Sequence, residues 1–502
     1  MNYHPQQLYV WDAWCMVKDD EVHLFHLQRN RPDATLPAGV EDKFGHAVST
    51  NLVDWTEAAP CLGPDPANPL DCNQPWTGCA LWHNGRGYLY YTMRNQDPKT
   101  NIQHIGLATS DDGHSWTRHP GNPVITPDPQ WYATVGNPAP DLLDCRDLLV
   151  IPHPRGRGWL GYYATRCPAD ELPMTSVIAC VRSDDLIHWT HLPPAFAPGK
   201  YACIEVPDVF EINGRWFMTC LTGCNYGNRG IFDEPQLVVG TIYAVADRPE
   251  GPFRELKDFV LMGAHTMVSP LSCRSVLFQG QRHALYTERE TTDHTDQSGF
   301  QFGVLTTPKL VRADGDRLFL AYSNRIETHV RQELLGPARP PQRIQAGRVW
   351  GQYWQTPAAR WDFTGPVIRG HSQTGWGVAE LAAEAESFIF EADLTLVSGV
   401  AAGLMIRMTP DSGAFVGLDR DLQAVIFAEL PTPNFVEQRR CAIAEGQTVK
   451  LRIVQRREFV EAYVNDELKL AFTRYRNALG GVGLCVDRAE AAFANLRLRT
   501  LA

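Results

Sequence analysis

The sequence predicts an all-β protein, a five-bladed β-propeller followed by a C-terminal β-sandwich. A repeated turn motif, with short apolar runs between its copies, predicts the propeller. After residue 335 the strands alternate more cleanly between polar and apolar residues, which predicts the sandwich. Helical periodicity is scarce throughout the 502 residues, so a helical fold fits neither half of the chain.

The propeller prediction rests on a seven-residue motif that occurs three times. In each copy, Ser is followed by Asn or Asp two positions later and by Trp six positions later. The copies are residues 49–55 (STNLVDW), 110–116 (SDDGHSW) and 183–189 (SDDLIHW), with a degenerate fourth at 246–253 (ADRPEGPF). Their aromatic positions are 61, 73 and 64 residues apart, as expected for blades with long loops. We expect the Asn or Asp side chain to close a turn and the Trp to fill the space between neighbouring sheets.

The domain boundaries follow from turn signals and composition. About five blades fit into residues 1–335, which we predict to be the catalytic propeller domain. Residues 336–355 begin with GPARPPQ and are predicted to be a linker, and residues 356–502 are predicted to form the β-sandwich. Because the blades of a propeller converge on a central cavity, residues far apart in the sequence can share one site.

Composition and charge narrow the possible partners. The formal net charge is −11 and no basic run is present, so a nucleic-acid partner is not expected. No apolar stretch reaches the ~20 residues that would cross a membrane. The N-terminus lacks the features of a signal peptide, and thirteen scattered cysteines fit a reducing compartment, so we expect a cytoplasmic protein. The sequence predicts no cofactor and no metal site, and it leaves the oligomeric state open.

Three acidic residues of the predicted propeller stand among apolar neighbours. They are Asp12 in YVWDAW, Asp147 in DCRDLLVI and Glu205 in ACIEVPD. Burying a carboxylate is unfavourable unless a partner or a function requires it. One such residue is more often structural, but three on different blades of one propeller indicate chemistry. Cleavage of a glycosidic bond needs two carboxyl groups, one to donate a proton and one to attack or to activate water.

The order of these motifs resembles glycoside hydrolase family 32, the invertases, inulinases and levanases. The most specific match is FGHAVSTNLVDW at residues 44–55, which is close to the family's Trp-Gly-His-Ala-Val-Ser segment. Further segments that match in order are residues 23–28 (HLFHLQ), 76–80 (WTGCA), 116–125 (WTRHPGNPVI), 146–147 (RD), 205–208 (EVPD) and 303–310 (GVLTTPKL). The resemblance covers residues 1–325, and the predicted sandwich fits the family's second domain.

The resemblance implies a retaining β-fructofuranosidase that acts on sucrose or short fructans by double displacement. It makes Asp12 the nucleophile, Asp147 the transition-state stabiliser and Glu205 the general acid/base. Glu205 must begin protonated, and its neighbours Ile204 and Val206 would raise its pKa by desolvation. Asp12 must stay ionised, so we expect it to accept hydrogen bonds from its backbone or polar neighbours. For a retaining pair the carboxyl groups of Asp12 and Glu205 should lie about 5–5.5 Å apart.

Six further residues are candidates for binding the sugar: Trp11, Trp14, Gln28, Trp76, Thr77 and Arg146. We expect Trp14 and Trp76 to stack on sugar faces at the rim of the site. Gln28 would hydrogen-bond the furanose or, as an alternative, face solvent from its strand. Thr77 would replace a sugar-contacting Ser of the family, and Arg146 would orient Asp147 or a sugar hydroxyl.

The segment around Asp12 departs from the family. It reads Trp-Asp-Ala-Trp, which is closer to the Trp-Asp-Ser-Trp of the levansucrases in glycoside hydrolase family 68. Fructosyl transfer to another sugar is therefore an alternative activity. Hydrolysis of another furanoside, such as an arabinofuranoside, is a second alternative, and a carbohydrate-binding protein without catalysis is a third.

Overall fold

The protein is built almost entirely of β-strands. The computed structural model describes residues 2–95, 102–134, 143–168, 171–228, 237–266, 268–343 and 359–502. Within these ranges the helical elements are two short 3-10 helices, Cys224–Tyr226 and Asn324–His329, and no helix is long and apolar enough to span a membrane. All thirteen cysteines are free thiols. The predicted five-bladed β-propeller followed by a β-sandwich is confirmed.

Each blade of the propeller is an antiparallel sheet whose strands come from one continuous stretch of the sequence. Blade 1 contains Leu8–Lys18, Glu21–Asn30, Phe44–Ser49 and Thr56–Cys61. Blade 2 contains Trp76–His83, Arg86–Arg94, Gln103–Ser110 and Thr117–Arg118. Blade 3 contains Cys145–Pro152, Trp159–Arg166, Ser176–Ser183 and Thr190–Phe196. Blade 4 contains Glu205–Ile212, Arg215–Thr222, Val239–Ala246 and Arg254–Ala264. Blade 5 contains Leu271–Phe278, Gln281–Thr291, Phe300–Leu305, Lys309–Asp314 and Arg317–Ala321.

A strand shared by the first and last blades closes the propeller. Phe300–Leu305 pairs with Gln281–Thr291 inside blade 5 and also with the first strand of blade 1, where Gly303 lies opposite Val10. A Cβ at Gly303 would lie 1.8 Å from the carbonyl oxygen of Glu288, so a larger residue there would force the strands apart. The glycine allows the close backbone approach that joins the two ends of the ring.

The repeated Ser-Asx-Trp motif forms the same turn in all three copies. The Ser hydroxyl oxygen accepts the backbone N–H groups two and three residues later. The side-chain Oδ1 of the Asn or Asp accepts the backbone N–H groups of the second and third residues after it. Trp116 of blade 2 packs edge-on against Phe25 of blade 1, and Trp189 of blade 3 packs against Tyr90 of blade 2. The predicted roles of the motif, a turn and a filler between sheets, are confirmed.

Two 22-residue strands, Ser387–Met408 and Gly480–Leu501, organise the sandwich. They pair with each other along most of their length, and each also pairs with other strands of the sandwich. Their neighbours are Val330–Leu335, Arg360–Asp362, Ile368–His371, Trp376–Ala385, Gly413–Asp419, Ala424–Leu430, Asn434–Arg440, Thr448–Arg456, Phe459–Val464 and Glu467–Thr473. The inward-facing apolar side chains of both sheets form a single large core between them.

The strand Val330–Leu335 belongs to the sandwich by its hydrogen bonds, because it pairs with Gly480–Leu501. The sequence assigned it to the propeller, with a boundary at residue 335. That boundary is corrected to a position before residue 330, since turn signals near a strand do not reveal which sheet the strand joins. Most of the predicted linker, 336–355, lies outside the described residues, and the start of the sandwich at 356 stays a prediction.

A buried ionic cluster joins blade 5 to the sandwich. We call it the interface cluster, and its members are Tyr286, Glu288, Lys309, Arg456, Glu461 and Tyr463. Glu461 accepts hydrogen bonds from Lys309 Nζ at 2.9 Å and from Arg456 Nη2 at 2.7 Å, and Arg456 also binds Glu288 at 2.7 Å. The hydroxyls of Tyr286 and Tyr463 donate to the two oxygens of Glu461. Two cations thus balance two carboxylates in a fully buried contact.

Candidate active site

The first strands of the five blades pack side by side in a closed ring around the propeller axis. Each of these strands, or its pairing with the next strand, contains a β-bulge. A bulge breaks the alternation of a strand and re-aims a side chain. The side chains at or beside the five bulges are Asp12, Thr77, Asp147, Glu205 and Ser272. The propeller therefore delivers one polar residue from each blade to the axis.

Three of the bulges place a residue that is not glycine at positive φ. The φ angles are 62° at Asp147, 52° at Val206 and 51° at Ser272. A β-branched residue such as Val206 rarely adopts this conformation, which is retained only where the surrounding structure enforces it. In return, the backbone N–H of Val206 donates to Asp147 Oδ2 at 3.0 Å. The bulge of blade 4 thus fixes the carboxylate of blade 3.

Asp12 is held by two hydroxyl groups. Thr77 Oγ1 donates to its Oδ2 at 2.5 Å, and the hydroxyl of Ser272 donates to its Oδ1. Burial raises the pKa of Asp12, whereas these hydrogen bonds and the charges of Arg274 and Arg146 act to lower it. Among the described residues no ion pair within 4.0 Å involves this carboxylate, so its charged form depends on hydroxyl donors from blades 2 and 5.

Asp147 is the most deeply buried carboxylate of the group, with 3% of its side chain exposed. Its Oδ2 lies 3.6 Å from Arg146 Nε, and its backbone carbonyl accepts Arg274 Nη2 at 2.8 Å. Burial raises its pKa to about 8, Arg146 opposes that rise, and the charges of Glu205 and Asp12 add to it. This carboxyl group is therefore sensitive to the protonation of its two neighbours.

Glu205 is the carboxylate that reaches towards solvent, with 16% of its side chain exposed. Its Oε2 accepts Arg146 Nε at 3.2 Å and Arg146 Nη2 at 3.0 Å, and the hydroxyl of Tyr226 also hydrogen-bonds it. Burial raises the pKa of Glu205, Arg146 lowers it, and the charge of Asp12 raises it. Partial access to solvent and a raised pKa suit a group that exchanges a proton with a ligand.

The three carboxyl groups share one electrostatic environment. The charge of Asp12 raises the pKa of both other groups, and the charge of Glu205 raises that of Asp147. Arg146 contacts Glu205 and Asp147, and its Nη1 also lies 2.5 Å from Asp144. Since buried like charges repel, the group as a whole retains a proton at a pH where isolated carboxylic acids have lost theirs.

The structure brings two of the six predicted sugar-binding residues into contact with the carboxylates and leaves two more partly exposed. Thr77 and Arg146 contact the carboxylates directly. Trp11 is half-buried and stacks on Phe302 with ring centroids 3.8 Å apart. Trp76 is half-buried, and the guanidinium of Arg94 lies 3.5 Å from its ring centroid. Trp11 and Trp76 thus keep part of their surface accessible beside Asp12 and Thr77 in the chain.

The prediction that Trp14 lines the rim of the site is wrong. Trp14 is 3% exposed and packs against Phe25 and Phe44 in the core of blade 1. On a regular strand, residues two apart such as Asp12 and Trp14 would face the same side. The bulge between Val10 and Ala13 breaks that alternation, so Asp12 points to the axis and Trp14 into the blade.

Gln28 also differs from its prediction. Its side chain is 1% exposed, and its amide nitrogen donates to the backbone carbonyl of Val40 at 2.8 Å. The alternative that it faces solvent is wrong, and in this conformation it offers almost no surface to a sugar. Gln28 instead attaches the loop after the second strand of blade 1, because its long side chain reaches across to Val40.

Four residues of the site were not predicted from the sequence: Tyr226, Ser272, Arg274 and Thr92, whose hydroxyl oxygen accepts the backbone N–H of Asp147 at 3.1 Å. Arg274 of blade 5 crosses the axis and donates to the backbone carbonyls of Gly78 in blade 2 and Asp147 in blade 3. Tyr226 comes from the short helix between the second and third strands of blade 4. The one signal in the sequence is a charged side chain inside an otherwise uncharged strand, LSCRSVLF, which would have drawn attention to Arg274 and to Ser272 two residues before it.

A histidine group lies between blades 1 and 2, apart from the carboxylates. Among the described residues, His23, His46 and His114 have ring nitrogens within 4.8 Å of one another. His23 Nδ1 is 3.0 Å from His46 Nε2, and the two ring centroids are only 5.2 Å apart. The two nitrogens therefore face each other along the line between the rings, which is the geometry of an N–H···N hydrogen bond and not of two ligands converging on one cation. Burial lowers the pKa of His23 to about 4 and that of His46 to about 3, so both rings are neutral near pH 7.

Comparison with known protein families supports the resemblance seen in the sequence. Residues 3–247 match the family model described as the N-terminal domain of the glycosyl hydrolases of family 32. A fructan 1-exohydrolase from Aegilops tauschii is 27% identical over 176 residues, which cover 34% of this chain and 26% of that protein. A levanase from Bacillus sp. (strain L7) is 26% identical over 257 residues, which cover 47% of this chain and 24% of that protein. The chain thus spans about a quarter of the length of these curated relatives.

Solved structures share the whole fold. A Bombyx mori family 32 β-fructofuranosidase aligns over 100% of this chain and 93% of its own, with a TM-score of 0.71 and 16% identity. A fructan 1-exohydrolase IIa from Cichorium intybus, solved with 1-kestose, aligns over 100% of this chain and 97% of its own, with a TM-score of 0.70 and 15% identity. At these identities the likeness shows a common fold, a propeller followed by a sandwich.

Proposed function

Because the chain belongs to glycosyl hydrolase family 32, we propose that it hydrolyses β-fructofuranosidic bonds, as in sucrose and short fructans, with retention of configuration. The observation that carries this proposal is the convergence of three buried carboxyl groups from three blades at the propeller axis, two of them in contact with Arg146. Their pKa values are all raised, and one of them, Glu205, stays partly open to solvent. Relatives of the chain are named as fructan exohydrolases, levanase and β-fructofuranosidases.

In the first step of the proposed reaction, protonated Glu205 gives its proton to the glycosidic oxygen while the Asp12 carboxylate attacks the anomeric carbon of the fructosyl unit. The bond to the leaving sugar breaks, and a covalent fructosyl ester forms on Asp12. In the second step Glu205 takes a proton from water, the water oxygen attacks the same carbon, and the ester bond breaks. Fructose leaves with its original anomeric configuration, and both carboxyl groups return to their starting states.

Asp147 stabilises the oxocarbenium-like transition state as a fixed anion in this proposal. It can do so only if the proton of the group resides on Glu205. The charge of Glu205 is one of the causes that raise the pKa of Asp147, so protonation of Glu205 itself favours the ionised form of Asp147. The N–H of Val206 and the guanidinium of Arg146 further favour that anion. One shared proton thus gives the two residues opposite roles.

Product analysis tests the proposal. The wild-type protein and Glu205→Ala are incubated with sucrose, inulin, levan and an arabinofuranoside, and the released sugars are quantified. The matched control is Glu211→Ala, which removes an exposed glutamate from the same strand of blade 4. We expect fructose release by the wild type and the control and a loss of about 10²–10⁴-fold in Glu205→Ala. NMR of the first product in deuterated water reports whether the anomeric configuration is retained.

The same experiment separates the alternatives. Fructosylated sugars in place of free fructose at high sucrose concentration would indicate a transferase. The segment Trp-Asp-Ala-Trp resembles the Trp-Asp-Ser-Trp of the levansucrases. Release of arabinose alone would shift the substrate to another furanoside. Equal turnover by the wild type and Glu205→Ala would refute the acid/base assignment. Absence of turnover on every furanoside would support a carbohydrate-binding protein instead.

A further inference from the structure

A cavity lies between the propeller and the sandwich, apart from the candidate active site. None of the three axial carboxylates lines it. Its volume is about 610 Å³, within the range of small-molecule sites. Its walls come from Arg254–Ala264 of blade 4 and Arg317–Ala321 of blade 5. The opposite walls come from Asn434–Arg440 and Glu467–Thr473 of the sandwich. We call this cavity the interdomain cleft.

The interdomain cleft is basic although the protein as a whole is acidic. Five cationic side chains line it: Lys257, Arg317, Arg439, Arg440 and Lys469. Two carboxylates, Asp258 and Glu467, line it as well. Glu467 already binds two of the cations, Arg317 and, at 2.6 Å, Lys469. Without counting Arg440, the two remaining cations, Lys257 and Arg439, outnumber the one remaining carboxylate, Asp258, which favours an anionic ligand in a protein whose net charge is −11.

Arg439 is the cation of the cleft with the clearest need for an anionic partner. Its Nη2 donates to the backbone carbonyl of Val260, and among the described residues no carboxylate lies within 4.0 Å of its guanidinium. The nearest acidic side chain of its own strand, Glu437, is bound to His265 at 2.6 Å. Burial lowers the pKa of Arg439 in spite of the acidic groups around it, because their attraction does not offset the loss of hydration.

We propose that the interdomain cleft binds a sugar that carries an oxyanion, phosphate or carboxylate, with the oxyanion on Arg439. A guanidinium presents two parallel N–H groups that match the oxygens of either anion. The cleft is much larger than a bare phosphate, and the space beside Arg439 fits a sugar ring. Gln438 and Lys257 border that space and can donate hydrogen bonds to hydroxyl groups. This site stands apart from the proposed hydrolysis of fructosides and does not depend on it.

Isothermal titration calorimetry on the full-length protein tests the proposal with four probes: fructose 6-phosphate, glucuronate, inorganic phosphate and fructose. Each titration with an anionic probe is repeated in excess fructose, which fills a fructose-binding site at the propeller axis if one exists. We expect one anionic sugar to bind with 1:1 stoichiometry at least about tenfold more tightly than fructose or phosphate, and more weakly as salt is added. The better of the two anionic sugars identifies the oxyanion.

Variants locate the binding. Arg439→Gln should weaken it about tenfold or more, and Lys257→Gln, an exposed position with little role in folding, should weaken it by a smaller factor. The matched control is Arg182→Gln, an exposed arginine of blade 3. Glu205→Ala should bind the anionic sugar as tightly as the wild type does. This result is expected whether or not the protein hydrolyses fructosides. Three results would overturn the proposal. They are no binding of either anionic sugar, an affinity for inorganic phosphate equal to that for the anionic sugar, or wild-type affinity in both Arg439→Gln and Lys257→Gln.

Discussion

Two buried carboxylates in this molecule, Asp12 at the propeller axis and Glu461 in the interface cluster, have opposite electrostatic surroundings. At the propeller axis, Asp12 receives hydrogen bonds from the hydroxyls of Thr77 and Ser272. In the interface cluster, Glu461 receives Lys309 and Arg456 directly, together with two tyrosine hydroxyls. The pKa of Asp12 is raised by burial, whereas Arg456 and Lys309 lower the pKa of Glu461 to about 2.

The contrast shows that burial alone does not mark a catalytic carboxylate. A carboxylate in contact with two cations stays ionised at any physiological pH and serves to hold two domains together. A carboxylate that is held by hydroxyl groups alone keeps a charge that no cation in contact neutralises, which suits it to act as a nucleophile. Direct contact with two cations therefore separates Glu461 from Asp12, which has none among the described residues.

The largest effect is expected from Asp12→Asn. The amide has nearly the same shape as the carboxylate but cannot form the ester intermediate. The kcat on the substrate identified by product analysis should therefore fall about 10⁴-fold or more. The free energy of unfolding should change little, because no ion pair is lost. Steady-state kinetics and urea denaturation of the same sample measure both. A variant that loses stability but keeps kcat would place Asp12 with the structural carboxylates.

Glu461→Gln should give the reverse result. It leaves Lys309 and Arg456 partly uncompensated in a buried site, so the free energy of unfolding should fall by about 3–5 kcal/mol. The activity of each folded molecule should remain. Urea denaturation, with activity normalised to the folded fraction, checks this. Loss of kcat at unchanged stability would contradict the structural role of the interface cluster.

The stability of the wild type should also depend on pH through Glu461. Its pKa is lowered in the folded protein, from an ordinary value of 4.5 to about 2. The group therefore contributes stability above about pH 4.5 and loses that contribution as the pH falls towards 2. Urea denaturation between pH 6 and 3 should show a steeper loss in the wild type than in Glu461→Gln. Parallel curves would mean that the carboxylate is not held by its cations.

Arg146→Gln should move the pH dependence of catalysis. Arg146 lowers the pKa of Glu205, so its removal raises that pKa further. Glu205 would then keep its proton to higher pH, and the alkaline limb of kcat/KM should shift upwards by roughly 1–3 pH units, with a lower maximum. Arg182→Gln is the matched control and should leave the limb in place. A downward shift would show that another group titrates there.

The smallest effects are expected at the hydroxyl groups that hold Asp12. Thr77→Val and Ser272→Ala each remove a hydrogen bond that favours the anion, so the pKa of Asp12 should rise. The acid limb of kcat/KM should move to higher pH by roughly 0.5–1 unit for each variant. Ser275→Ala removes a hydroxyl that binds Asp208 and should not move it. An unchanged limb in both variants would mean that Asp12 does not depend on these donors.

Sequence information was sufficient where the interactions are local. All hydrogen bonds of the Ser-Asx-Trp turn lie within six residues, so the motif itself specifies the turn, and its spacing specifies the blades. Asp12, Asp147 and Glu205 could be found as lone acids in apolar strands. The same criterion also fits Glu461 in FVEAYV, whose role depends on Lys309, more than 150 residues away. A sequence pattern does not show which distant charges a residue will meet.

By itself, the sequence determined the fold class, the succession of blades and the identity of the acids, because periodicity and turn chemistry are properties of short segments. The tertiary structure decided which side chains face one another. The bulge at Val10 to Ala13 turned Trp14 into the blade, and closure of the ring brought Ser272 of the last blade to Asp12 of the first. It also set the balance of charges around each carboxylate, since that balance is made by residues from separate blades and from the sandwich.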